Sequence, residues 1–243
     1  MSHLSYSKAA NNSSNVHFIE PNAEVVRERD MLFQMGDQLD GIYKVNSGCI
    51  KLFRNNEAGE SQIIGFYMAG DLIGLDALAD GYSHSTAVIL ETSNVTLIPF
   101  ESILNKDEKF DSQAFIRQLG VNVNHDNDHT MMLTQPAGRR MAWFLTGLSD
   151  RLAERGLLAN EFRIPMTCTD IALYLGMASE TSSREIGAFC KQGLMKKHNR
   201  DIELLNIEAL RHIANGDNAD EENTGWNNGN YSAMTHKESA LVH

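Results

Sequence analysis

MTCTDIALYLGMASETSSREIGAFCKQGLMKKHNRDIELL, residues Met166 to Leu205, is the most informative run in the chain. Thr167 or Thr169 offers a side-chain oxygen to cap a short helix, and Ile171, Ala172 and Leu175 follow on one face of it. Gly176 supplies a tight turn. Ser179 is placed to cap a second helix, Ile186 and Phe189 face the first, and Gly193 ends the run. Two short helices around a glycine-containing turn make a helix-turn-helix, and the small Ala172 lets them cross closely. LMKK, a polar turn at His198–Asp201 and IELL then form a hairpin, which makes it a winged version.

The outward face of the second helix carries Glu180, Ser183 and Arg184. Glutamate accepts from cytosine N4, arginine donates bidentately to guanine, and serine is an adaptable third contact. Thr167, Thr169, Lys191, Lys196, Lys197 and Arg200 lie where phosphates would run. The competing reading is a solvated helix with a Glu180–Arg184 pair at i,i+4. Wing and trio together favour binding to double-stranded DNA.

N-terminal to this unit the hydrophobic period is helical. Residues 111–134, DSQAFIRQLGVNVNHDNDHTMMLT, place Ile116, Leu119, Val123, Asp126, Thr130 and Leu133 on one stripe, with Asn127 among its polar middle positions. One chain would leave such a stripe partly exposed, so a homodimer through this helix is expected. Pro136 and Gly138 end the helix as a hinge, and MAWFLTGLSDRLAERG continues as an amphipathic helix with Ala142, Leu145, Leu148 and Leu152 on one face. His125 and His129 stand at i,i+4, a metal-compatible spacing; without a third ligand a polar patch beside the seam is favoured.

Residues 25–100 switch to a strand period. Gly36, Gly48, Gly59, Gly70 and Gly81 recur every 11 or 12 residues in turn-like contexts, and IYKV, CIKLF, IIGFYM, TAVIL and VTLIPF lie between them. Short strands at that spacing predict an antiparallel barrel or sandwich. The organisation expected is an α+β chain: tail 1–23, β-roll 24–110, dimerisation helix 111–135, winged helix-turn-helix 136–214 and a disordered acidic tail 215–243.

The 243 residues suit two domains, and 42% hydrophobic with 22% charged residues excludes a wholly disordered chain. Net charge is −11 at pH 7, divided as −7 over 1–165, 0 over 166–214 and −4 over 215–243. The neutral segment between acidic ones can present a local basic face. Ile63–Ala69, the longest apolar run, is far short of the ~18–20 residues of a membrane span. The polar N-terminus does not read as a secretory signal, and Cys49, Cys168 and Cys190 are too scattered for a disulfide framework. A cytoplasmic protein without a membrane partner is expected. Asp71/Asp76 and Glu221/Glu222 accompany no nucleophile or phosphate loop, so no enzyme is expected.

GFYMAGDLIGLDAL, ILETSNVTLIPFE, EFRIPMTCTDIALYLGMASETSSRE and KQGLM resemble the CRP/FNR family of bacterial transcription regulators, in particular its FNR/ANR branch, from about Met31 to Ala214. The resemblance implies a cyclic-nucleotide-binding-like β-roll, a long helix of a parallel dimer and a C-terminal winged helix. It also implies RNA polymerase as partner, activator or dual control of anaerobic or nitrosative genes, and a TTGAT-type half-site read by Glu180, Ser183 and Arg184.

Departures from the family are equally specific. The FNR branch holds a four-iron, four-sulfur cluster through three N-terminal cysteines and one in the β-roll. Here no cysteine precedes Cys49, and Thr96 stands at the fourth position, so no such cluster is expected. The CRP branch grips cyclic AMP through a glutamate and an Arg-Ser pair; Leu75 and Ser85-Thr86 occupy those places, leaving no guanidinium and no expectation of cyclic AMP. Ser182 and Glu185 replace aliphatic residues of the recognition helix. No metal site is expected. Two alternatives stand beside the regulator: one with the same DNA output that responds to haem or another small ligand, and a cupin-like metal enzyme. The latter is disfavoured because His84 is the only histidine in 31–110.

Overall fold

The computed structural model describes residues 23–56, 58–104 and 110–216. The expected tails therefore lie outside the described residues, apart from Ala23, Asn215 and Gly216. In chain order the elements are β1 (Ala23–Val26), β2 (Met31–Phe33), β3 (Gly41–Asn55), β4 (Ser61–Met68), β5 (Leu72–Ile73), a 3-10 turn (Leu75–Leu78), β6 (Thr86–Pro99) and α1 (Phe100–Leu104). They continue as α2 (Ser112–Met132), α3 (Ala137–Glu154), β7 (Glu161–Arg163), α4 (Cys168–Tyr174), α5 (Ser179–Lys191), β8 (Met195–His198), β9 (Asp201–Leu204) and α6 (Ile207–Asn215).

The N-terminal unit is an antiparallel sheet ordered β1-β6-β3-β4, with β2 on β6 and β5 on β3. Its strands correct the sequence reading: IYKV and CIKLF are one strand, as are TAVIL and VTLIP, with Phe100 already in α1. The reason is Gly48. At φ 89° it lies inside β3, where the register against β6 shifts on both sides of it. A bulge there bends the ladder without ending it. Gly36, Gly59, Gly70 and Gly81 do sit at turns, all with positive φ.

Asp111 caps α2, its side chain accepting from the Ala114 amide at 2.9 Å. The helix is buried at its two ends, by Ala114 and Phe115 and by His129 and Met132. The single stripe read from sequence splits here. Ile116 (66% exposed), Val123 (57%), Asp126 and Asn127 face outward, while Leu119 packs on the cluster of Ile42, Leu72, Ile98 and Phe115. Leu133 is partly buried, its Cδ2 3.2 Å from where a Cβ on Gly176 would stand. At 3.6 residues per turn a 3–4 stripe drifts around the helix, by ~100° between Ile116 and Leu133.

Pro136 (φ −54°) separates α2 from α3. Met141, Ala142, Phe144, Leu145 and Leu148 bury one face of α3 in the C-terminal unit. The expected hairpin forms as β8 and β9, with Asn199 at φ 54° in its turn, and β7 joins as an unforeseen third strand in the order β7-β9-β8. Three residues, EFR, are too few to show an alternating pattern.

One hydrophobic cluster spans both units: Cys49, Ile63 and Phe66 from the sheet pack with Phe144, Leu148, Ile171 and Tyr174. Phe66 meets Tyr174 edge-on at 5.2 Å and Phe144 at 6.2 Å. Such pairs contribute about 0.5–1.5 kcal/mol each beyond their burial. Cys49, in the middle of β3, is therefore part of the shared core.

Candidate nucleic-acid interface

The site starts from a capping box. Thr167 accepts from the Asp170 amide at 3.0 Å, and Asp170 Oδ2 accepts from the Thr167 amide at 3.0 Å and from its hydroxyl at 2.6 Å. Thr167 is thus the residue that starts α4. Burial pushes the Asp170 carboxyl up, but hydrogen bonds from Lys51 and Thr167 outweigh it and hold the group below its usual range. Gly176 turns the chain at φ 59°, and Arg140 Nη1 donates to the carbonyls of Leu175 and Gly176 at the end of α4.

The cap of α5 also differs from expectation. Ala178, not Ser179, is the N-cap, with no side-chain bond, and the Ser179 hydroxyl instead donates to Thr169 Oγ1 at 3.5 Å. Ile186 and Phe189 are buried, whereas Glu180, Ser183 and Arg184 are all exposed on one face. Arg184 pairs with Glu185 at 3.4 Å and not with Glu180. In water such a contact is weak, so the guanidinium fork stays available to a base edge.

The two polar intrusions into α5 resolve differently. Glu185 Oε2 lies 3.2 Å from where a Cβ on Gly138 would stand, beside the first turn of α3. The α3 N-cap, Pro136, makes no side-chain cap bond, and a carboxylate is favourable near a helix N-terminus. Ser182 is fully buried, and its Oγ has no hydrogen-bond partner.

Around the wing, Lys196 Nζ lies 3.0 Å from Glu203, and Lys197 Nζ donates to Cys168 Sγ at 3.2 Å. Lys191 is exposed at the end of α5, and Arg200 is partly buried where its carbonyl accepts from the Ile164 amide.

His125 and His129 do not form a metal pair. His129 is buried, stacks on Tyr174 at 4.0 Å and donates Nε2–H to the Tyr174 carbonyl at 2.7 Å. Burial lowers its pKa below the usual value. Among the described residues, no three His, Cys, Asp or Glu side chains converge to hold a metal. The single β-roll histidine, His84, is turned to Asp80 at 3.0 Å.

The family's ligand pocket does not fit a phosphate here. Ser85 Oγ donates to Asp76 Oδ2 at 2.9 Å, the His84 amide donates to the same oxygen, and Thr86 Oγ1 accepts from the Met35 amide. A carboxylate sits where an anion would need donors. The expected absence of a guanidinium needs correction: Arg54 comes to 3.8 Å of Asp76, brought by the ladder in which its neighbour Phe53 pairs with Thr86. Nor do these residues fit the cluster, since buried Thr96 accepts from Asn46 Nδ2 at 2.7 Å.

The sequence reading missed the residues that set the helix-turn-helix on the sheet. Lys51 of β3 reaches Asp170 at 2.6 Å. Arg151 of α3 pairs with Asp71, and Arg155 donates to the Ala69 carbonyl at 2.7 Å. Only the Thr167-to-Asp170 spacing was legible; Lys51 is 119 residues from its partner.

A β-roll joined by one long helix to a winged helix-turn-helix with a free reading face defines a DNA-binding transcription regulator. The comparisons agree. A cyclic nucleotide-binding domain matches residues 23–109, and a Crp-like helix-turn-helix domain matches residues 139–213. The fumarate and nitrate reduction regulatory protein of Escherichia coli K12 is 38% identical over 192 residues, covering 78% of this chain and 77% of that protein. FixK2 from Bradyrhizobium japonicum shares the fold with a TM-score of 0.70 at 24% identity, over 79% of this chain and 96% of that one. A CRP/FNR-family regulator from Thermus thermophilus gives 0.63 at 19% identity, over 80% and 98%. The chain belongs to the CRP/FNR family of transcription regulators, and these relatives are regulators, not enzymes. No described helix is long and apolar enough to cross a membrane.

Proposed function

We propose that this regulator binds a TTGAT-like palindrome as a homodimer in the cytoplasm and acts on RNA polymerase there. The observation that carries the reading is the exposed trio Glu180, Ser183 and Arg184 on α5, with the basic residues Lys191, Lys196, Lys197 and Arg200 following it in the chain. Ile116 and Val123, exposed on α2, support dimerisation along that helix. Arg184→Ala should cost about 1–3 kcal/mol and relax the preference at one base pair. Lys196→Ala should weaken all sequences alike and reduce the salt slope by about one. Gel shifts on single-base variants of the palindrome at several salt concentrations separate the two; an unchanged base preference in Arg184→Ala would overturn the assignment.

The same reading makes DNA binding independent of an FNR-type cluster. Its support is the donor set: three cysteines, with Cys49 buried in the shared core, and Thr96 engaged by Asn46. Protein purified in air should shift the palindrome; iron and acid-labile sulfide in stoichiometric amounts, lost together with binding on exposure to oxygen, would refute this.

A further inference from the structure

The C-terminal unit is tied covalently to the rest only through the short link between α2 and α3 at Leu133–Pro136. A unit on one short link swivels unless it is held elsewhere. Besides the shared hydrophobic cluster and the His129–Tyr174 contact, two charged attachments are present. Arg151, late in α3, and Arg155, its C-cap, grip the β4–β5 turn through Asp71 and the carbonyls of Phe66 and Ala69. Lys51, on β3, reaches Asp170 in the first turn of α4, with side chains only 20% and 11% exposed.

The second attachment acts directly on the DNA-reading element. Asp170 also closes the capping box of α4, and α4 carries α5 through the buried Ile171, Ala172, Ile186 and Phe189. Lys51 itself is fixed in the middle of the ladder, opposite Phe66 of β4 and Val88 of β6.

We propose that Lys51 is a positioning residue for DNA recognition: by holding Asp170 it fixes the angle at which the helix-turn-helix leaves the sensor sheet. In the dimer, and so resting on the function proposed above, that angle sets which separation of two half-sites is accepted. Lys51 touches no DNA. It acts through α4, and it makes the sheet a lever on the reading helix.

The test uses the full chain and palindromes that differ only in spacer length, one base pair at a time. Wild type should prefer one spacer by about tenfold over its neighbours, as expected when rigid half-site geometry is read. Lys51→Met keeps the apolar stem and should flatten that preference to about threefold or less, leaving the base preference within a half-site intact. Asp170→Asn retains an oxygen for the Thr167 amide and should behave alike, while Lys51→Arg should restore the preference. Full spacer preference in Lys51→Met, or its loss in Lys51→Arg, would overturn the proposal.

Should wild type itself show no spacer preference, the dimeric reading fails, and hydrogen exchange then judges the clamp alone. Faster exchange of the α4 amides in Lys51→Met, with the sheet unchanged, supports it; unchanged α4 exchange overturns it.

Discussion

Replacing Ser182 by alanine should stabilise this protein. Most buried substitutions destabilise, so the sign is a demanding test. The Ser182 hydroxyl is fully buried and without a partner, and an unsatisfied buried polar group costs about 1–3 kcal/mol. Serine inside a helix is also about 0.5 kcal/mol less favourable than alanine. Against these stand a few lost dispersion contacts of one oxygen, each about 0.1–0.2 kcal/mol. The balance is a gain of about 1–3 kcal/mol, or a rise in Tm of roughly 2–12 °C for a chain of this size. Urea and thermal unfolding at fixed protein concentration measure it, with an unchanged urea slope expected. Ser183→Ala is the control: exposed on the same helix, it collects only the propensity gain of about 0.5 kcal/mol. A midpoint for Ser182→Ala no higher than that of Ser183→Ala would mean the hydroxyl is satisfied in solution and would refute the reasoning.

Two further outcomes follow from the geometry. Because burial depresses the folded-state pKa of His129, the unfolded chain takes up a proton first as pH falls. The stability is therefore complete above the ordinary value of 6.5 and declines as pH drops from there toward the folded value. Urea midpoints across that range should fall in wild type and fall less in His129→Phe; a rise would contradict the buried neutral imidazole. Gly48→Ala should lower Tm much more than Gly36→Ala. Both glycines have positive φ, near 90°, which costs a side chain about 1–2 kcal/mol. A Cβ on Gly48 would also stand 2.6 Å from Ser93 Cα, whereas Gly36 faces open space. Equal losses in the two variants would remove the bulge argument.

What could be read without coordinates was local. The capping spacing from Thr167 to Asp170, the Gly176 turn, the paired apolar residues Ile186 and Phe189, and the hairpin around Asn199 all lie within a few residues of their partners. Short-range hydrogen bonds and helical periodicity write such features directly into the order of residues. The outward trio on α5 was legible for the same reason, because a helix of known phase assigns each position a side. The strand runs were legible too, but their lengths were not. Whether Gly48 turns the chain or bends it depends on Ser93 in another strand, and no local signal distinguishes the two.

The tertiary structure alone decided how the units meet and which polar groups are satisfied. Ser182 and Glu185 look alike in the sequence, as polar residues at apolar positions of α5. Gly138, in the first turn of α3, leaves the Glu185 carboxylate a place at a helix N-terminus, while the Ser182 hydroxyl has no hydrogen-bond partner. His125 and His129 look like a pair, yet Tyr174 of α4 takes the second as a stacking and hydrogen-bonding partner. Lys51 gives no sign of its role, since an ion pair across 119 residues exists only once two separately folding patterns have packed. Burial turns an ordinary surface lysine and a capping aspartate into a clamp, and burial is a property of the assembled chain.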